Sequence, residues 1–252
     1  MSVAKASWFR HPLFASVLAM VGSTVTGAQD QRHFDDQSIV ECLALQGVDA
    51  RSVAKVSNLP GLYEVDAGGG DYLYVMQDCR HLVAGNLYEI RSDHQLVALT
   101  ERARSAKRRE IIAAIPQSEM LVLEPPETKR TSVVVFTDVG CVYCRAFHQQ
   151  IAEYQMLGIE IRYVAYPSPG LGSSAFQAMV SAWCSDDPLS AITTLKKGDT
   201  IPPMDCANPV ASHFRAGQEI GIEGTPTMIL PSGRMLSGYF SPAQLAEALG
   251  LD

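Results

Sequence analysis

Two cysteines three residues apart, Cys141 and Cys144, lie in FTDVGCVYCRAFH (136–148), directly after the apolar run VVVF. A Cys-x-x-Cys pair can be a redox reagent, part of a metal clip, or a short structural bridge. Strand-type residues feeding straight into helix formers put Cys141 near a helix N-terminus, where free amide N–H groups and the helix dipole favour negative charge. The thiolate is the nucleophile in disulfide exchange, so this location lowers the thiol pKa and raises the reactive fraction. Arg145, just beyond the pair, adds positive charge. Cys144 lies one turn further in, less exposed, and is read as the resolving thiol that attacks a mixed disulfide on Cys141. A structural zinc site needs four ligands, usually as two close pairs, and there is no second Cys-x-x-Cys. His148 has the spacing of a third ligand but is read as a helix-surface residue, so neither a metal nor another cofactor is expected. A bridge across two residues closes too small a loop to stabilise much. Redox chemistry is favoured over both.

A second element sharpens it. In EGTPTMIL, Thr225-Pro226 stands immediately before a β-type run. Proline is tolerated at a strand's first position, and an X-Pro bond can be cis at modest cost. A cis bond there would turn a backbone edge toward the cysteines, where an extended substrate segment could pair. A lone Thr-Pro is usually a turn; its place after the Cys-x-x-Cys and before a terminal hairpin gives it weight.

The elements that must position these residues follow from the chain of 252. Residues 1–28 read as a signal peptide: basic Lys5 and Arg10, an apolar stretch from about Leu13 to Val25, then Thr26 and Ala28 before a cut near Gln29. The stretch is short for a membrane span, and no later segment looks transmembrane, so no membrane insertion is expected after signal removal. Its loss takes the net charge from −7 to −9, which argues against nucleic acid as a partner. All six cysteines, Cys42, Cys79, Cys141, Cys144, Cys184 and Cys206, lie beyond the cut. In an oxidising compartment, disulfide bonding is their default.

Composition is that of an ordinary folded protein, 47% hydrophobic and 19% charged. DQSIVECLAL (36–45) has helical spacing with Ile39, Cys42, Leu43 and Leu45 on one face. SVAKV, LYEV, DYLYVMQ and HLVAGNLYEI follow as extended runs broken by LPG and AGGGD, giving a small α+β module with little core of its own. Residues 97–115 are strong helix formers ended by Pro116 and read as a connecting helix; Arg102, Arg104, Lys107, Arg108 and Arg109 would be its solvated face. Beyond it come strands over 120–123 and 132–136, a helix through RAFHQQIAEYQML, a strand over 159–166, helices over 174–183 and before Gly221, then TPTMIL, a hairpin and a last helix. That is the thioredoxin order with a helical insertion.

Residues 119–252 resemble the catalytic domain of the bacterial periplasmic thiol:disulfide interchange proteins of the DsbC/DsbG family, closest to DsbC. The resemblance is carried by FTDVGCVYC, YQMLGIEIRYVAYPSPGLGS, AWC (182–184), DC (205–206) and GIEGTPTMILPSGRMLSGY, and more weakly by DYLYVMQDCRHLVAGNLYEI in the first half. It implies an α+β, cystatin-like dimerisation module (29–96), a linker helix (97–118) and an α/β thioredoxin-like catalytic domain (119–252), assembled as a V-shaped homodimer in the periplasm. It further implies that Cys141 attacks wrong disulfides in misoxidised exported proteins and that Cys144 resolves. Thr225 and Pro226 would form the loop beside Cys141, Val142, Tyr143 and Cys144, and a membrane thiol reductase of the DsbD type would keep the pair reduced. Cys184–Cys206 is by the same likeness a structural disulfide, one whose loop length would stabilise by about 3 kcal/mol.

Several positions depart from the family pattern. Val142-Tyr143 stands where Gly or Pro usually precedes the Tyr, Arg145 where His is common, and Val135 where thioredoxin has a buried acid, so proton transfer to Cys144 must use water or another group. Asp138 reads as a turn or cap residue. Cys42 and Cys79 have no counterpart; a bridge between them is favoured over two buried thiols or an intersubunit bond. A DsbA-like oxidase is disfavoured by the extra N-terminal module. The alternative from another class is a DsbG-like chaperone or holdase, or a sulfenic-acid reductase, with limited isomerase activity.

Overall fold

The computed structural model describes residues 35–251, so the signal-peptide expectation lies outside the described residues. Asp35 caps α1 (Asp36–Ala44), its carboxylate accepting from the Ser38 amide at 2.9 Å. Ile39 and Leu43, one turn apart, form the buried face. Leu45 does not join them and is 85% exposed. It falls past the helix end, and six residues beyond Ile39 the helix has rotated by about 120° off that stripe.

Helix α1 packs on an antiparallel meander of β1 (Ser52–Lys55), β2 (Leu62–Gly68), β3 (Asp71–Met76) and β4 (Leu82–Ala84). Tyr63, Val65 and Val75 meet Ile39 and Leu43 in a small core. Cys42 of α1 is paired with Cys79, just past β3, with Cα atoms 6.5 Å apart. HLVAGNLYEI is not one extended run. Its first part is β4, while β5 (Tyr88–Ile90) turns away to pair with β6 (Leu96–Ala98) in a separate ribbon.

Pairing of β6 delays the connecting helix, so α2 is Leu99–Ala113 rather than starting at 97. Thr100, buried at its start, bonds the Tyr74 hydroxyl at 2.6 Å and accepts from the Leu87 amide at 2.7 Å. The basic cluster is a solvated face only in part: Arg102 and Arg109 are exposed, Arg104 and Lys107 are half-buried. Arg108 is buried, donating to Glu101 at 2.6 Å, with its Nη1 3.5 Å from the Gly233 carbonyl oxygen. Arg104 donates to the Gly70 carbonyl at 2.8 Å and to Asn86, and Arg109 to the Ser232 carbonyl at 2.7 Å. Guanidinium groups on long apolar stems can lie across a packed surface and still satisfy carbonyls at its edge.

After a 3₁₀ turn at Gln117–Glu119 comes the five-stranded sheet: β7 (Leu121–Leu123), β8 (Thr131–Thr137), β9 (Ile159–Ala165), β10 (Thr227–Ile229) and β11 (Met235–Ser237), in the order β11-β10-β8-β9-β7. Only β8 and β9 are parallel; they form the centre and right flank, with antiparallel neighbours outside them. The apolar run of β8 is explained by cover on both faces: Val133 and Val135 enter one core, Val134 and Phe136 the other. Helices α3 (Val142–Gln149) and α4 (Ile151–Met156) replace the single helix expected over 145–157, because Gln150 leaves helical dihedrals at φ −103, ψ 15. Between β9 and β10 run α5 (Ser174–Trp183), α6 (Pro188–Lys197) and α7 (Val210–Ile220), and α8 (Pro242–Leu249) closes the chain behind a Ser241–Gln244 capping box. Helix α7 ends at Gly221, φ +85, where a Cβ would collide with the Gly69 carbonyl. Among the described residues no helix is long and apolar enough to cross a membrane.

Cys184, capping α5, is paired with Cys206 in the loop before α7, with Cα atoms 5.7 Å apart. The double change Cys184→Ser, Cys206→Ser is expected to lower the unfolding free energy by about 3 kcal/mol, because the reduced chain regains the entropy of that loop. The check is the urea midpoint of both proteins under non-reducing conditions; an unchanged midpoint contradicts it.

His213 on α7 is buried, and its Nδ1 accepts from the Ala165 amide at 3.3 Å while Nε2 has no hydrogen-bond partner among the described residues. Burial pushes its pKa from 6.5 down to about 4. A depressed folded-state pKa means stability is complete above about pH 6.5 and is lost as pH falls toward about 4, by up to about 3 kcal/mol. Unfolding free energies measured across that window should fall, and His213→Phe should flatten the slope.

Candidate active site

Cys141 is the N-cap of α3, in extended conformation (φ −80, ψ 124), so the first turn of α3 starts beside its sulfur. That follows from the local sequence: β8 ends at Thr137, Asp138 makes a turn by accepting from the Gly140 amide at 2.8 Å, and VYCRAF continues as helix. Cys141 is partly exposed and Cys144, three residues on, is fully buried at 0%. The Thr225–Pro226 bond is cis, and the Thr225 carbonyl accepts from Cys141 Sγ at 3.1 Å. Val142 and Tyr143 project outward at 72% and 65% exposure. Cys141, Val142, Tyr143, Cys144, Thr225 and Pro226 therefore share one end of the sheet. Cys184 and Cys206 belong to the α5–α7 region, and Cys42 and Cys79 to the N-terminal module.

The two thiols sit in opposed environments. Burial pushes Cys141 up, but hydrogen bonds from the Thr225 side chain, from the backbone and side chain of Cys144, and from the Tyr143 backbone outweigh it and hold Cys141 below the usual thiol range. The backbone contributions are those of a helix N-terminus. For Cys144 burial wins and pushes the thiol up, against the Lys196 charge, the Asp138 amide and the Thr225 and Thr137 hydroxyls. The Asp138 amide is 3.5 Å from Cys144 Sγ.

Three neighbours need comment. Asp138 keeps to its turn: Oδ1 takes the Gly140 amide and Oδ2 the Ser168 amide at 2.9 Å. Arg145 donates from Nε to the Val139 carbonyl at 2.9 Å. His148 is no helix-surface residue; its ring lies between the Tyr163 hydroxyl and Thr193, each at 3.0 Å, because α6 packs over α3. Burial first, then the charges of Lys196 and Lys197, push its pKa down to about 4.

Lys196 is the residue that sequence reading missed. It lies on α6, a helix also missed, although its ends carry signals: Asp187 accepts from the Ser190 amide, Pro188 follows, and Gly198 closes it at φ 96. Lys196 is 2% exposed, with Nζ donating to Thr137 Oγ1 at 2.7 Å and lying 3.4 Å from the Asp138 carbonyl. Nothing in the spacing of LKKG distinguishes it from Lys197.

A partly exposed thiol held low, backed by a buried one at a helix N-terminus, can exchange disulfides. Residues 121–251 match the family model of the thioredoxin-like domain, and residues 31–101 match that of the disulfide bond isomerase protein N-terminal domain. A thiol:disulfide interchange protein DsbC from Salmonella typhimurium is 32% identical over 217 residues, covering 86% of this chain and 88% of its own. The chain belongs to the DsbC family. DsbC of Dickeya dadantii is 33% identical over 215 residues, covering 85% of this chain and 87% of its own, and that of Escherichia coli is 31% identical with the same coverage. Like its DsbC relatives, the chain is a thiol:disulfide interchange enzyme with disulfide isomerase function, built from an N-terminal DsbC-type domain and a thioredoxin-like domain.

Proposed function

We propose that the protein works in the periplasm as a homodimer, with Cys141 attacking mispaired disulfides of exported proteins and Cys144 resolving the mixed disulfide. The observation that carries this reading is the contrast between the two sulfurs, Cys141 partly exposed with its thiol held low and Cys144 buried with its thiol held high. Thr225, Pro226, Val142 and Tyr143 are the rim that meets substrate. Residues 1–28 are a removable export signal, 29–96 the dimerisation module, 97–118 the linker and 119–252 the catalytic domain. The exposed apolar side chains of Leu82 and Val83 on β4 support pairing of two modules. The Cys184–Cys206 and Cys42–Cys79 bridges hold their respective modules together, and a DsbD-type membrane reductase keeps the active pair reduced.

The test is to isolate the protein from the periplasm, unfold it in denaturant so that buried thiols are reached, and alkylate it without prior reduction. Labelling at Cys141 and Cys144, with the other four cysteines protected, is expected; protection of Cys141 and Cys144 would instead indicate an oxidase. A holding activity toward unfolded chains is a second reading, favoured by the exposed Val142 and Tyr143. It requires aggregation suppression that is equal in the wild type and in a Cys141→Ser, Cys144→Ser protein.

A further inference from the structure

A buried lysine is costly unless its charge is compensated or given up. Among the described residues Lys196 has no carboxylate within ion-pairing distance. Its ammonium meets a hydroxyl, a carbonyl and the face of Tyr163, whose ring centroid is 5.3 Å from Nζ. The Thr137 hydroxyl that receives it is also among the groups that stabilise the Cys144 thiolate. Cys144 itself is fully buried, and its resolving role requires that it lose a proton there. Asp138 is held in its turn, each of its carboxylate oxygens accepting a backbone amide. His148 is bound on both ring nitrogens to Tyr163 and Thr193.

We propose that Lys196 is the proton partner of Cys144, exchanging a proton with it through the Thr137 hydroxyl. The inference rests on the reading of Cys144 as the resolving thiol and names the group that makes it competent. When a substrate is held on Cys141 as a mixed disulfide, the Cys144 S–H passes its proton to Thr137 Oγ1, whose own proton passes to the neutral amine of Lys196. The Cys144 thiolate then forms a bond to Cys141 Sγ, the bond from Cys141 to the substrate sulfur breaks, and the substrate departs as a thiolate that takes a proton from water. The substrate disulfide gains the two electrons that the cysteine pair gives up. When a reducing thiol later attacks Cys141, Cys144 leaves as thiolate and recovers the proton from the Lys196 ammonium.

The groups facing Lys196 are compatible with this cycle. Burial pushes its pKa down to about 8, against the pull of Cys144, Asp138 and Cys141 and with the repulsion of Arg145. Tyr163 stays neutral, its hydroxyl pushed up chiefly by burial, and His148 is uncharged at neutral pH. Lys197, next on the helix, is exposed, and its charge acts on His148. Near neutral pH a usable fraction of Lys196 is therefore the free amine, as a proton acceptor must be.

The experiment loads Cys141 of the full-length protein with 5-thio-2-nitrobenzoate as a mixed disulfide. The release of that chromophore by Cys144 is followed in single turnover from pH 5 to 10. The wild type is expected to release it with an inflection near pH 8, where Lys196 becomes the free amine. Lys196→Met and, separately, Thr137→Val are expected to slow release about tenfold or more at pH 7, shift the inflection upward, and converge with the wild type at high pH. Rates that match the wild type at every pH, or that fall by one factor at all pH values, would overturn the role of Lys196. Should Lys196→Met unfold, Thr137→Val carries the same test. If the wild type itself fails to release the chromophore, it is the assignment of Cys144 as resolving thiol that fails.

Discussion

Cys141→Ser is expected to leave no reactivation of a scrambled multi-disulfide protein above the uncatalysed rate, and added oxidant will not restore it. A serine hydroxyl is not ionised near neutral pH and does not displace sulfur from a disulfide. Cys144 cannot substitute, because it is fully buried and its thiol is pushed up by that burial. Cys144→Ser should behave differently: the attack at Cys141 survives, and stalled mixed disulfides accumulate on the protein, visible on non-reducing gels. Reactivation by Cys141→Ser at even a tenth of the wild-type rate would remove Cys141 from the role given to it here, since roughly that much would have to come from another thiol.

The second large effect is on the platform rather than the thiol. Phe147→Ala is expected to destabilise the protein by about 3–5 kcal/mol, measured as a lowered urea midpoint. Phe147 lies on the inner face of α3, stacked on Tyr154 at 4.4 Å between ring centroids and edge-on to Tyr163 at 6.5 Å. Truncation leaves an aromatic-sized gap under the helix that carries both cysteines, among neighbours fixed by their own hydrogen bonds: Tyr154 to the Phe240 carbonyl, Tyr163 to His148. Phe147→Leu, which refills most of the volume, should recover much of the loss. A decrease under about 1 kcal/mol for the alanine variant would mean that this side of the core collapses freely.

The parts of the site legible in sequence were those encoded by contiguous residues. FTDVGCVYC reads as strand, turn and helix because VVVF, Asp138 and the following helix formers each carry a local preference, and that alone puts Cys141 at an N-terminus. Thr225-Pro226 was legible from its place in the order of elements: a lone Thr-Pro is usually a turn, but this one follows the Cys-x-x-Cys and directly precedes a β-type run. The misreadings share the opposite character. The arginines of α2 were taken for a solvated face because charge is the usual mark of exposure; Arg102 and Arg109 are exposed, yet Arg108 and Arg104 find their carbonyls at Gly233 and Gly70, far away in the chain. His148 looked like a surface residue until α6 covered it.

Local sequence therefore determined the reagent: a thiol at a helix N-terminus with a second one turn behind it. That outcome needs only hydrogen-bond donors and propensities within a dozen residues. Only the tertiary structure decided what surrounds the second thiol. Lys196 lies more than fifty residues beyond Cys144, and it reaches Thr137 because α6 folds back over α3. The low-dielectric interior that raises Cys144 and lowers Lys196 is a property of that packing, since desolvation is set by whatever covers a group and not by its neighbours in the chain.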